Sequence, residues 1–373
     1  MIIRTEELKD VCTKILAAVE SNQLSQITET LELKTEGTCL YISVTNREYY
    51  ARVRLDIGEE IPFHASVNAN LFLKLVSQIT TECIELICKD NSLVVKGNGT
   101  YNIPYIFDGG KMLDLPEIHI NNVTSEFEID SSILSSILLY NSKQLNMGTA
   151  AKPVQKMYYV DNEGCITFTT GACVNSFRLP QKIKILLNNR LVKLFKLFKG
   201  DKVKFSLGYD AISDDIIQTK VRFESNDITL TAILSCDDTM LNSVPVSAIR
   251  NRVNSMYPHG VTLNRECILQ AINRLLLFSS GYGTKEDIKP YSEFEFGPES
   301  VVIYDANKEN KETLDYTNAS SGIQDKYVAC LDLADLKATL EGCSDEYITL
   351  SFGDGAAFVL LRNNIYNVIP EIH

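Results

Sequence analysis

The stretch IIRTEELKDVCTKILAAVES, residues 2–21, places a short apolar strand directly before an amphipathic helix. The same order returns in FEIDSSILSSILLYNS, residues 127–142, and in VTLNRECILQAINRLLLFSS, residues 261–280. A motif that recurs along a chain is typical of a protein built from structural repeats. The sequence therefore predicts three similar thirds.

Each third also holds a second helix-like segment, and these are NANLFLKLVSQI, NNRLVKLFKLFK and DLADLKATLEG. Each is followed directly by segments in which apolar and polar residues alternate, as is typical of strands; KVKFSLGY is one example. Turn formers cluster in HINNVTS and in NSMYPHG. We therefore expect an α+β protein with domains at 1–124, 125–256 and 257–373, each with two helices packed on antiparallel strands. The polar stretch YDANKENKETLDYTNASSGIQD is predicted to form a hairpin and loop.

Composition limits the classes of protein that the chain can belong to. It has 373 residues, of which 45% are hydrophobic, and a formal net charge of -12. Proteins that coat nucleic acid are normally basic overall, so any contact with DNA must be local. The ten cysteines are scattered, the N-terminus is too charged for a secretory signal, and no apolar run reaches the roughly 18 residues of a membrane span. We expect a soluble intracellular protein whose thiols are reduced and buried.

The order of these elements resembles the bacterial-type DNA polymerase sliding clamp, the beta clamp of the DNA polymerase III beta subunit family, over essentially the whole chain. ITFTTGACVNSFRLP resembles the family's strand, Thr-x-Gly turn and second strand ending in Pro, and NNIYNVIPEIH resembles its closing strand. Family members carry three repeats of one α+β fold and close head to tail as homodimers into a ring around duplex DNA.

The resemblance implies a replication processivity factor that catalyses no reaction and uses no cofactor. Its partners would be double-stranded DNA, a DNA polymerase, a clamp-loader ATPase and a second copy of the chain, with no membrane partner. It would act in the cytoplasm, on the nucleoid during replication. Two alternatives stay open: an interaction scaffold of the same fold that does not close around DNA, and an intracellular enzyme with an unrecognised carboxylate site.

Positive charge is concentrated in NNRLVKLFKLFKGDKVK, residues 188–204. This segment contains six basic residues and one acidic residue, which gives a net charge of +5. On a helical wheel the apolar residues share one face and Lys193 and Lys196 point the opposite way. A solvated helix face is the alternative interpretation, but the resemblance assigns this helix to the inner wall of the ring, where lysines would meet phosphates without sequence preference. The residues predicted to face DNA are Arg190, Lys193, Lys196, Lys199, Lys14, Lys74, Lys143, Gln270 and Arg274. The sixth helix, with Asp332, Asp335 and Glu341, contradicts a uniformly basic lining.

Motifs for catalysis or metal binding are not evident. The four histidines lie far apart and form no two-His metal motif. Cys83 and Cys88, in the strand-like run CIELIC, are predicted to be buried thiols rather than ligands. SSGYGTKED lacks the spacing and context of a phosphate-binding loop. The sequence therefore predicts no metal site and no nucleotide site.

The resemblance also implies an apolar pocket for short peptides of polymerase and loader subunits, between the second and third repeats. For any one of the residues of this pocket, the alternative interpretation is an ordinary residue at the end of a strand that does not bind a peptide. The chain departs from the family at Thr170-Gly171-Ala172-Cys173-Val174, where two polar side chains are missing, and at the acidic Glu371, so we expect an altered peptide preference. The segment SVPVSAIRNR, residues 243–252, is expected to link the second and third repeats and to contribute to this pocket. By position, the pocket residues are Val154, Thr169, Gly171, Ala172, Val174, Pro245, Ile249, Arg250, Ala357, Val368, Ile369 and Pro370.

The fifth helix carries apolar residues that its core face does not explain. Its stripe is formed by Ile268, Leu269, Ile272 and Leu276, yet Leu277 and Phe278 fall outside that stripe. One interpretation ends the helix near Leu276 and turns both residues back into their own domain. The other is a subunit interface, and the resemblance places its counterpart near Tyr101 of the partner's first repeat.

Overall fold

The computed structural model describes residues 1–373 apart from 21–24, 146–151, 201, 214–215, 236, 280–290, 321–322, 324, 344, 354–356, 363 and 372–373. Nearly all of the Gly-rich stretch SSGYGTKED therefore lies outside the described residues. The same holds for Asp201, Cys236 and His373. Across the described residues, no helix combines the length and apolar character needed to cross a membrane.

In the first third the predicted strand-helix unit is confirmed, because β1 runs directly into α1. Helix α1 buries Leu8, Val11 and Ile15, which lie on one face of a helix. Asn68 caps the start of helix α3, because its side chain accepts a hydrogen bond from the backbone N–H of Leu71. The elements are β1 Ile2–Arg4, α1 Thr5–Leu16, α2 Gln26–Glu29, β2 Thr30–Glu36, β3 Cys39–Thr45, β4 Tyr49–Asp56, β5 His64–Asn68, α3 Ala69–Gln78, β6 Cys83–Cys88, β7 Ser92–Lys96, β8 Thr100–Pro104, β9 Phe107–Asp108 and β10 Lys111–Met112.

The middle third repeats this order with more irregular helices. The segment after β11 contains a π-helical turn at Ile137–Asn141, and the predicted basic helix is a short α-helical segment followed by a 3₁₀ helix at Leu194–Leu197. A further helix, α8, forms in the segment expected to link two repeats. The other elements are β11 Val123–Asp130, α4 Ser131–Ser136, α5 Ser142–Leu145, a 3₁₀ helix at Pro153–Lys156, β12 Met157–Asp161, β13 Gly164–Phe168, β14 Ala172–Ser176, β15 Lys184–Asn188, α6 Asn189–Lys193, β16 Lys202–Ser213, β17 Ile216–Glu224, β18 Ile228–Leu234, α7 Asp238–Ser243 and α8 Val246–Asn254.

The last third again starts with a strand that passes into a helix. Helix α9 continues to Ser279, so the interpretation that ends it near Leu276 is wrong. The predicted polar hairpin is confirmed by the pairing of β21 with β22. The elements are β19 His259–Asn264, α9 Arg265–Ser279, β20 Tyr291–Phe296, β21 Ser300–Tyr304, β22 Lys311–Asp315, β23 Asn318–Ser320, β24 Tyr327–Asp332, α10 Leu333–Glu341, β25 Tyr347–Phe352, β26 Ala357–Arg362 and β27 Ile365–Pro370.

Strand order confirms the threefold repetition. In every third the first strand pairs with the last group of strands, in the orders β1-β6-β7-β8, β11-β16-β17-β18 and β19-β25-β26-β27. The intervening strands form a second set, in the orders β5-β2-β3-β4, β15-β12-β13-β14 and β24-β20-β21-β22. The chain is therefore an α+β protein with one antiparallel arrangement used three times, whereas the exact domain boundaries at 124 and 256 stay predictions.

The strand sets of successive thirds join edge to edge. Strand β18 pairs with β4, with Leu230 opposite Ala51, and strand β14 pairs with β27, with Ala172 opposite Val368. The first junction completes an eight-stranded sheet and the second belongs to a nine-stranded sheet. By contacts the chain divides into two compact units, Met1–Ser135 with Arg190–Ser235 and Ser136–Asn189 with Cys236–His373, so the middle third contributes to both.

Aromatic side chains fill the core of each unit. In the first unit the ring of Phe223 lies 5.0 Å from that of Phe195 and 5.3 Å from that of Phe205. In the second unit the ring of Phe352 lies 4.4 Å from that of Phe296 and 4.8 Å from that of Phe358. These tilted and edge-on contacts add to the free energy gained by burying the rings.

The prediction that the cysteines are buried is wrong for three of those that the structure describes. Cys83, Cys88 and Cys267 are exposed, and Cys330 is half-buried. In β6 the buried side chains are Ile84 and Leu86, whereas the two cysteines occupy the exposed ends of the strand. An apolar run therefore did not guarantee burial at its ends.

A buried carboxylate, paired with a half-buried lysine, anchors the segment HINNVTS, where a domain boundary is predicted. The carboxylate of Asp210 accepts hydrogen bonds from the backbone N–H groups of Asn121 and Asn122, each 3.1 Å away. The ammonium group of Lys220 donates to Asp210 at 2.9 Å and to the carbonyl oxygen of His119 at 2.9 Å. The hydrogen bond from Lys220, with those from the backbone, lowers the pKa of Asp210.

We predict that Asp210→Asn lowers the free energy of unfolding by about 1–3 kcal/mol at pH 7, because it removes hydrogen bonds to a buried charge. A carboxyl group with a lowered pKa stabilises the fold above the unfolded-state pKa of about 3.9 and loses that effect as pH falls through the folded-state value. The difference from the wild type should therefore shrink in acid. Urea unfolding at several pH values measures it, with the exposed Asp108→Asn as control. A pH-independent difference would contradict this assignment.

Candidate functional site

The basic segment presents a single row of lysines. Lys193, Lys196 and Lys199 are exposed, while the apolar residues between them are buried. Because a 3₁₀ helix has three residues per turn, side chains three positions apart line up along its axis. The structure therefore aligns Lys193 and Lys196 along this axis, and Lys199 is exposed two residues beyond the end of the 3₁₀ helix at Leu197. We refer to Lys193, Lys196 and Lys199 as the lysine row.

The other basic residues of this segment are paired with carboxylates. Within the described residues, no ion pair involves the lysine row. The excess positive charge that the sequence indicates is therefore carried by the row itself. The pairs are Arg190 with Glu20 (3.8 Å) and Glu48 (3.5 Å), Lys202 with Asp130 (2.5 Å), and Lys204 with Glu126 (2.9 Å).

A groove of about 580 Å³ in the first compact unit is lined by Lys196 and Lys199 from the row and by Lys14 from α1. The ammonium group of Lys14 lies 2.7 Å from a carboxylate oxygen of Asp10 and 2.7 Å from one of Asp227. Lys14 is thus beside the row, as predicted, but its charge is compensated. It contributes less to a basic surface than its position in the sequence indicates.

The exposed Lys74 lines a neighbouring groove in the same unit. Thr13 and Leu16 of α1 contribute to both grooves, so the two form one continuous surface. In this unit the predicted residues Lys14, Lys74, Lys196 and Lys199 therefore lie on a shared surface. The same surface also carries the carboxylates of Asp10 and Asp227, which line the groove beside Lys14.

The three predicted DNA-facing residues of the second unit are differently placed. Lys143 is half-buried, and its stem passes Gly342, where a Cβ atom would lie 2.9 Å from the Lys143 Cδ. Gln270 is exposed and donates to Glu266 at 3.1 Å. Arg274 forms a bidentate pair with Glu312, at 2.6 and 2.9 Å. Gln270 is neutral and Arg274 is paired with a carboxylate, so these residues are weaker evidence for a basic surface than the lysine row.

One of the acidic residues named for the sixth helix, α10, has a local explanation. The Asp332 side chain accepts hydrogen bonds from the backbone N–H groups of Ala334 and Asp335, which caps the helix. Burial, together with the charge of Asp332, raises the pKa of Asp335 to about 6. Thr170 donates to Asp335 at 3.5 Å. The requirement for a helix cap thus accounts for Asp332 without a role in binding.

An apolar groove of about 350 Å³ gathers most of the residues predicted for the peptide pocket. Strands β14 and β27 meet along it, and helix α8 supplies its other side. All of its lining residues belong to the second compact unit. They are Phe168, Thr169, Thr170, Gly171, Ala172, Pro245, Ala248, Ile249, Arg252, Ala357, Val368 and Pro370.

Gly171 allows the backbones of the two strands to approach at this groove. A Cβ atom at this position would collide with the carbonyl oxygen of Val368. Beside it, Thr169 is buried, donates its backbone N–H to the Gly171 carbonyl at 2.9 Å and accepts a hydrogen bond from Gln144 at 3.3 Å. The Thr-x-Gly sequence therefore fixes the end of the groove through backbone geometry and one buried hydroxyl.

Four of the predicted pocket residues lie elsewhere. Val154 and Val174 are buried in the hydrophobic cluster against which Ile249 packs, and Ile369 is buried in the core that includes β27. Arg250 faces away from the groove, because its guanidinium lies 2.7 Å from Asp161 and 2.9 Å from Glu163. These residues support the groove but do not line it.

The residues that sequence reasoning missed are Phe168, Thr170, Ala248 and Arg252. Those on α8 follow from helical spacing, because residues three, four and seven positions after Pro245 share its face. That face carries Ala248, Ile249 and Arg252 and excludes Arg250. Helical spacing in SVPVSAIRNR identifies this face, whereas the expectation of a link between repeats does not include a helix there.

The whole chain resembles solved structures of one kind. A clamp of Bacillus subtilis matches 100% of this chain and 98% of its own, with 13% identity and a TM-score of 0.79. The DNA polymerase III beta subunit of Pseudomonas aeruginosa (14% identity, TM-score 0.79) and the DNA polymerase beta subunit of Streptococcus pyogenes (13%, 0.80) each match 100% of this chain over 99% of theirs. This protein has the sliding-clamp fold. No protein-family model and no curated protein sequence matches it.

The clamp fold leaves the residues of the predicted subunit interface exposed. Leu277 is 73% exposed and Phe278 is 56% exposed, at the end of α9. The Arg274–Glu312 pair ties α9 to β22, so these side chains lie beside an edge strand of their sheet. Tyr101 is exposed on β8, an edge strand of the first third. Each predicted interface residue is thus next to a sheet edge of this clamp fold.

We predict that Gly171→Ala lowers the free energy of unfolding by about 1–3 kcal/mol, since the added methyl group must displace β27 or distort its pairing with β14. The matched control is Thr170→Ala, one residue earlier and exposed, which should change stability by about 0.5 kcal/mol or less. Urea unfolding of both variants measures the difference. Equal stability of the two variants would contradict the close approach at Gly171.

Proposed function

We propose that this chain is a DNA sliding clamp, a processivity factor that closes as a head-to-tail homodimer around duplex DNA and holds a polymerase on its template. The observation that carries the proposal is the match to clamps along the full length, in which no third of the chain is left over. A clamp acts by topology and binding, so the proposal assigns it no reaction and no cofactor. Its place is the cytoplasm, on the nucleoid during replication.

The repeated strand order supports closure by edge pairing. At each internal junction, the outer strand of one middle set pairs with the last strand of the following third: β4 with β18, and β14 with β27. The corresponding strand of the last third is β22, and the corresponding last strand of the first third is β8. Within the described residues neither has a partner on its outer edge. Pairing of β22 with the first third of a partner chain would repeat, between two chains, the edge-to-edge strand pairing seen at the internal junctions. Two such contacts would close a dimer.

The lysine row supports contact with DNA. Three ammonium groups without carboxylate partners in the described chain would attract phosphates without reading sequence. The negative net charge of the rest of the protein would repel DNA from other surfaces. Such an arrangement favours a mobile clamp that binds DNA weakly but remains on it by enclosure.

The apolar groove supports a role in tethering partners. It combines apolar side chains with a few polar groups at its rim, which suits a short peptide that inserts a small number of apolar anchors. We assign it to peptides of the DNA polymerase and of the clamp-loader ATPase. Because Ala172 lines the groove at a position where the family pattern has a polar residue, the anchors preferred here should be more apolar.

We predict that Lys193→Glu with Lys196→Glu weakens DNA binding and leaves stability within about 0.5 kcal/mol, because both side chains are exposed. If both lysines contact phosphates, the slope of log K against log salt should fall by roughly two. Fluorescence anisotropy with duplex DNA at several salt concentrations measures this slope. The charge-matched control is Lys89→Glu with Lys111→Glu, also exposed. Equal slopes for both double variants would remove the lysine row from the DNA-facing surface.

We predict that Leu277→Ala with Phe278→Ala yields a folded monomer at low micromolar concentration, because apolar side chains beside β22 are lost from the interface. Analytical ultracentrifugation measures the mass, and circular dichroism checks the fold. Met256→Ala removes another exposed apolar side chain and should leave the dimer intact. A wild-type protein that is monomeric throughout would favour an interaction scaffold of the same fold. A double variant that stays dimeric would contradict this interface.

A further inference from the structure

One histidine and two carboxylates meet in the first compact unit, and none of the three lines either of the grooves described there. The Nε2 atom of His64 lies 3.0 Å from a carboxylate oxygen of Glu32 and 3.4 Å from one of Asp114. The three side chains offer ligand atoms that all lie within 4.8 Å of one another. In the sequence they are too far apart to form a metal-binding motif, and the fold brings them together.

Strand pairing fixes the first two positions. Strands β2 and β5 are antiparallel neighbours, with Glu32 opposite Ser66 and Lys34 opposite His64. Because side chains alternate between faces, Glu32 and His64 project from the same face as diagonal neighbours. A rigid sheet therefore determines their separation.

The third position is fixed by the segment that follows β10. The hydroxyl group of Ser66 donates to the carbonyl oxygen of Leu113 at 2.5 Å. Leu113 and Leu115 are buried against Tyr50 on either side of Asp114. The backbone at Asp114 is thereby held over the face that carries Glu32 and His64, although its side chain is exposed.

The two carboxylates in this cluster give it a negative charge that a bound cation would compensate. The Glu32 side chain is only 4% exposed, and among the described residues its one ion-pair partner is His64. A carboxylate removed from water is unfavourable unless a positive charge or hydrogen bonds compensate it. With Asp114 nearby, even a protonated imidazole leaves the group one negative charge in excess. Lys34, on the same face, is exposed and forms no ion pair within the described chain.

The distances suit a transition metal. Zinc bonds of ~2.0 Å to nitrogen and ~2.1 Å to oxygen in a tetrahedral arrangement put neighbouring ligand atoms roughly 3.3 Å apart. The two separations from His64 Nε2 bracket this value. One imidazole nitrogen with two carboxylate oxygens favours zinc over magnesium or calcium, which prefer oxygen ligands alone.

We propose that Glu32, His64 and Asp114 bind a divalent transition-metal ion of the zinc type, with the remaining coordination position open to water. His64 and Asp114 are accessible enough for the ion to enter from solvent. The bound ion would join β2, β5 and the segment around Asp114, and would stabilise the first third. The site is independent of whether the chain encircles DNA.

The test is isothermal titration calorimetry of the intact chain with zinc chloride, together with thermal unfolding in zinc or in chelator. We expect a site of one zinc per chain that raises the melting temperature. Asp114→Asn, at an exposed position, and His64→Gln should each weaken it by about tenfold or more. The matched control is His119→Gln, since exposed His119 lies 3.6 Å from the single carboxylate of Glu117. That variant should bind zinc like the wild type.

Cobalt binding separates this site from the exposed thiols. Cys88 lies close by, with its sulfur 3.5 Å from the carbonyl oxygen of His64. Co²⁺ held by one imidazole and two carboxylates should show no thiolate charge-transfer band. Such a band, a wild-type protein without stoichiometric zinc binding, or equal affinity in Asp114→Asn and the wild type would overturn the proposal. Loss of zinc binding in His119→Gln alone would place the site elsewhere and overturn it as well.

Discussion

An antiparallel sheet with an open edge presents unpaired backbone groups that must be covered or paired, and this requirement organises the whole molecule. The outer strand of one set covers the edge of the next third, as β4 does for β18 and β14 does for β27. Because the same arrangement occurs in each third, the rule that joins neighbours inside the chain also leaves β8 and β22 as complementary ends. The proposed head-to-tail dimer is the continuation of this rule between chains.

The junction between β14 and β27 also creates the apolar groove. The strands can approach because Gly171 lacks a side chain where the Val368 carbonyl lies. Helix α8 then covers one side and is held in place by Arg250 through Asp161 and Glu163. The architecture and the proposed partner binding therefore depend on the same contact, and a change in strand pairing would alter the groove.

Electrostatics adds a second level of organisation. The number of basic residues in segment 188–204 overstates its uncompensated positive charge, because half of these residues are paired with carboxylates. What remains is the lysine row, in which Lys193 and Lys196 are aligned by the 3₁₀ helix that replaces a regular helix at Leu194–Leu197. Residues that looked equivalent in the sequence, such as Lys14 and Lys196, differ in the structure because Asp10 and Asp227 compensate only the first.

Local patterns allowed much of the fold to be predicted. The strand-helix starts and second helices follow from hydrophobic periodicity, and the resemblance supplied their arrangement. Contacts between residues that lie far apart in the sequence could not be predicted from these local patterns. The pairing of Lys14 with Asp227 and the meeting of His64 with Glu32 join residues from different strands or repeats. The choice of Arg250 over Arg252 failed because helix α8 was not predicted, so its facing residues could not be selected by spacing.

The most direct measurement of the central claim is retention on closed DNA. The protein would be diluted until the dimer dissociates, concentrated again with a nicked circular plasmid, and passed over a gel-filtration column at a salt concentration that removes electrostatically bound protein. The account predicts that it elutes with the circular plasmid and is released when a single restriction cut linearises the DNA. Equal retention before and after cutting, or no retention on the circle by a protein shown to be dimeric, would contradict it.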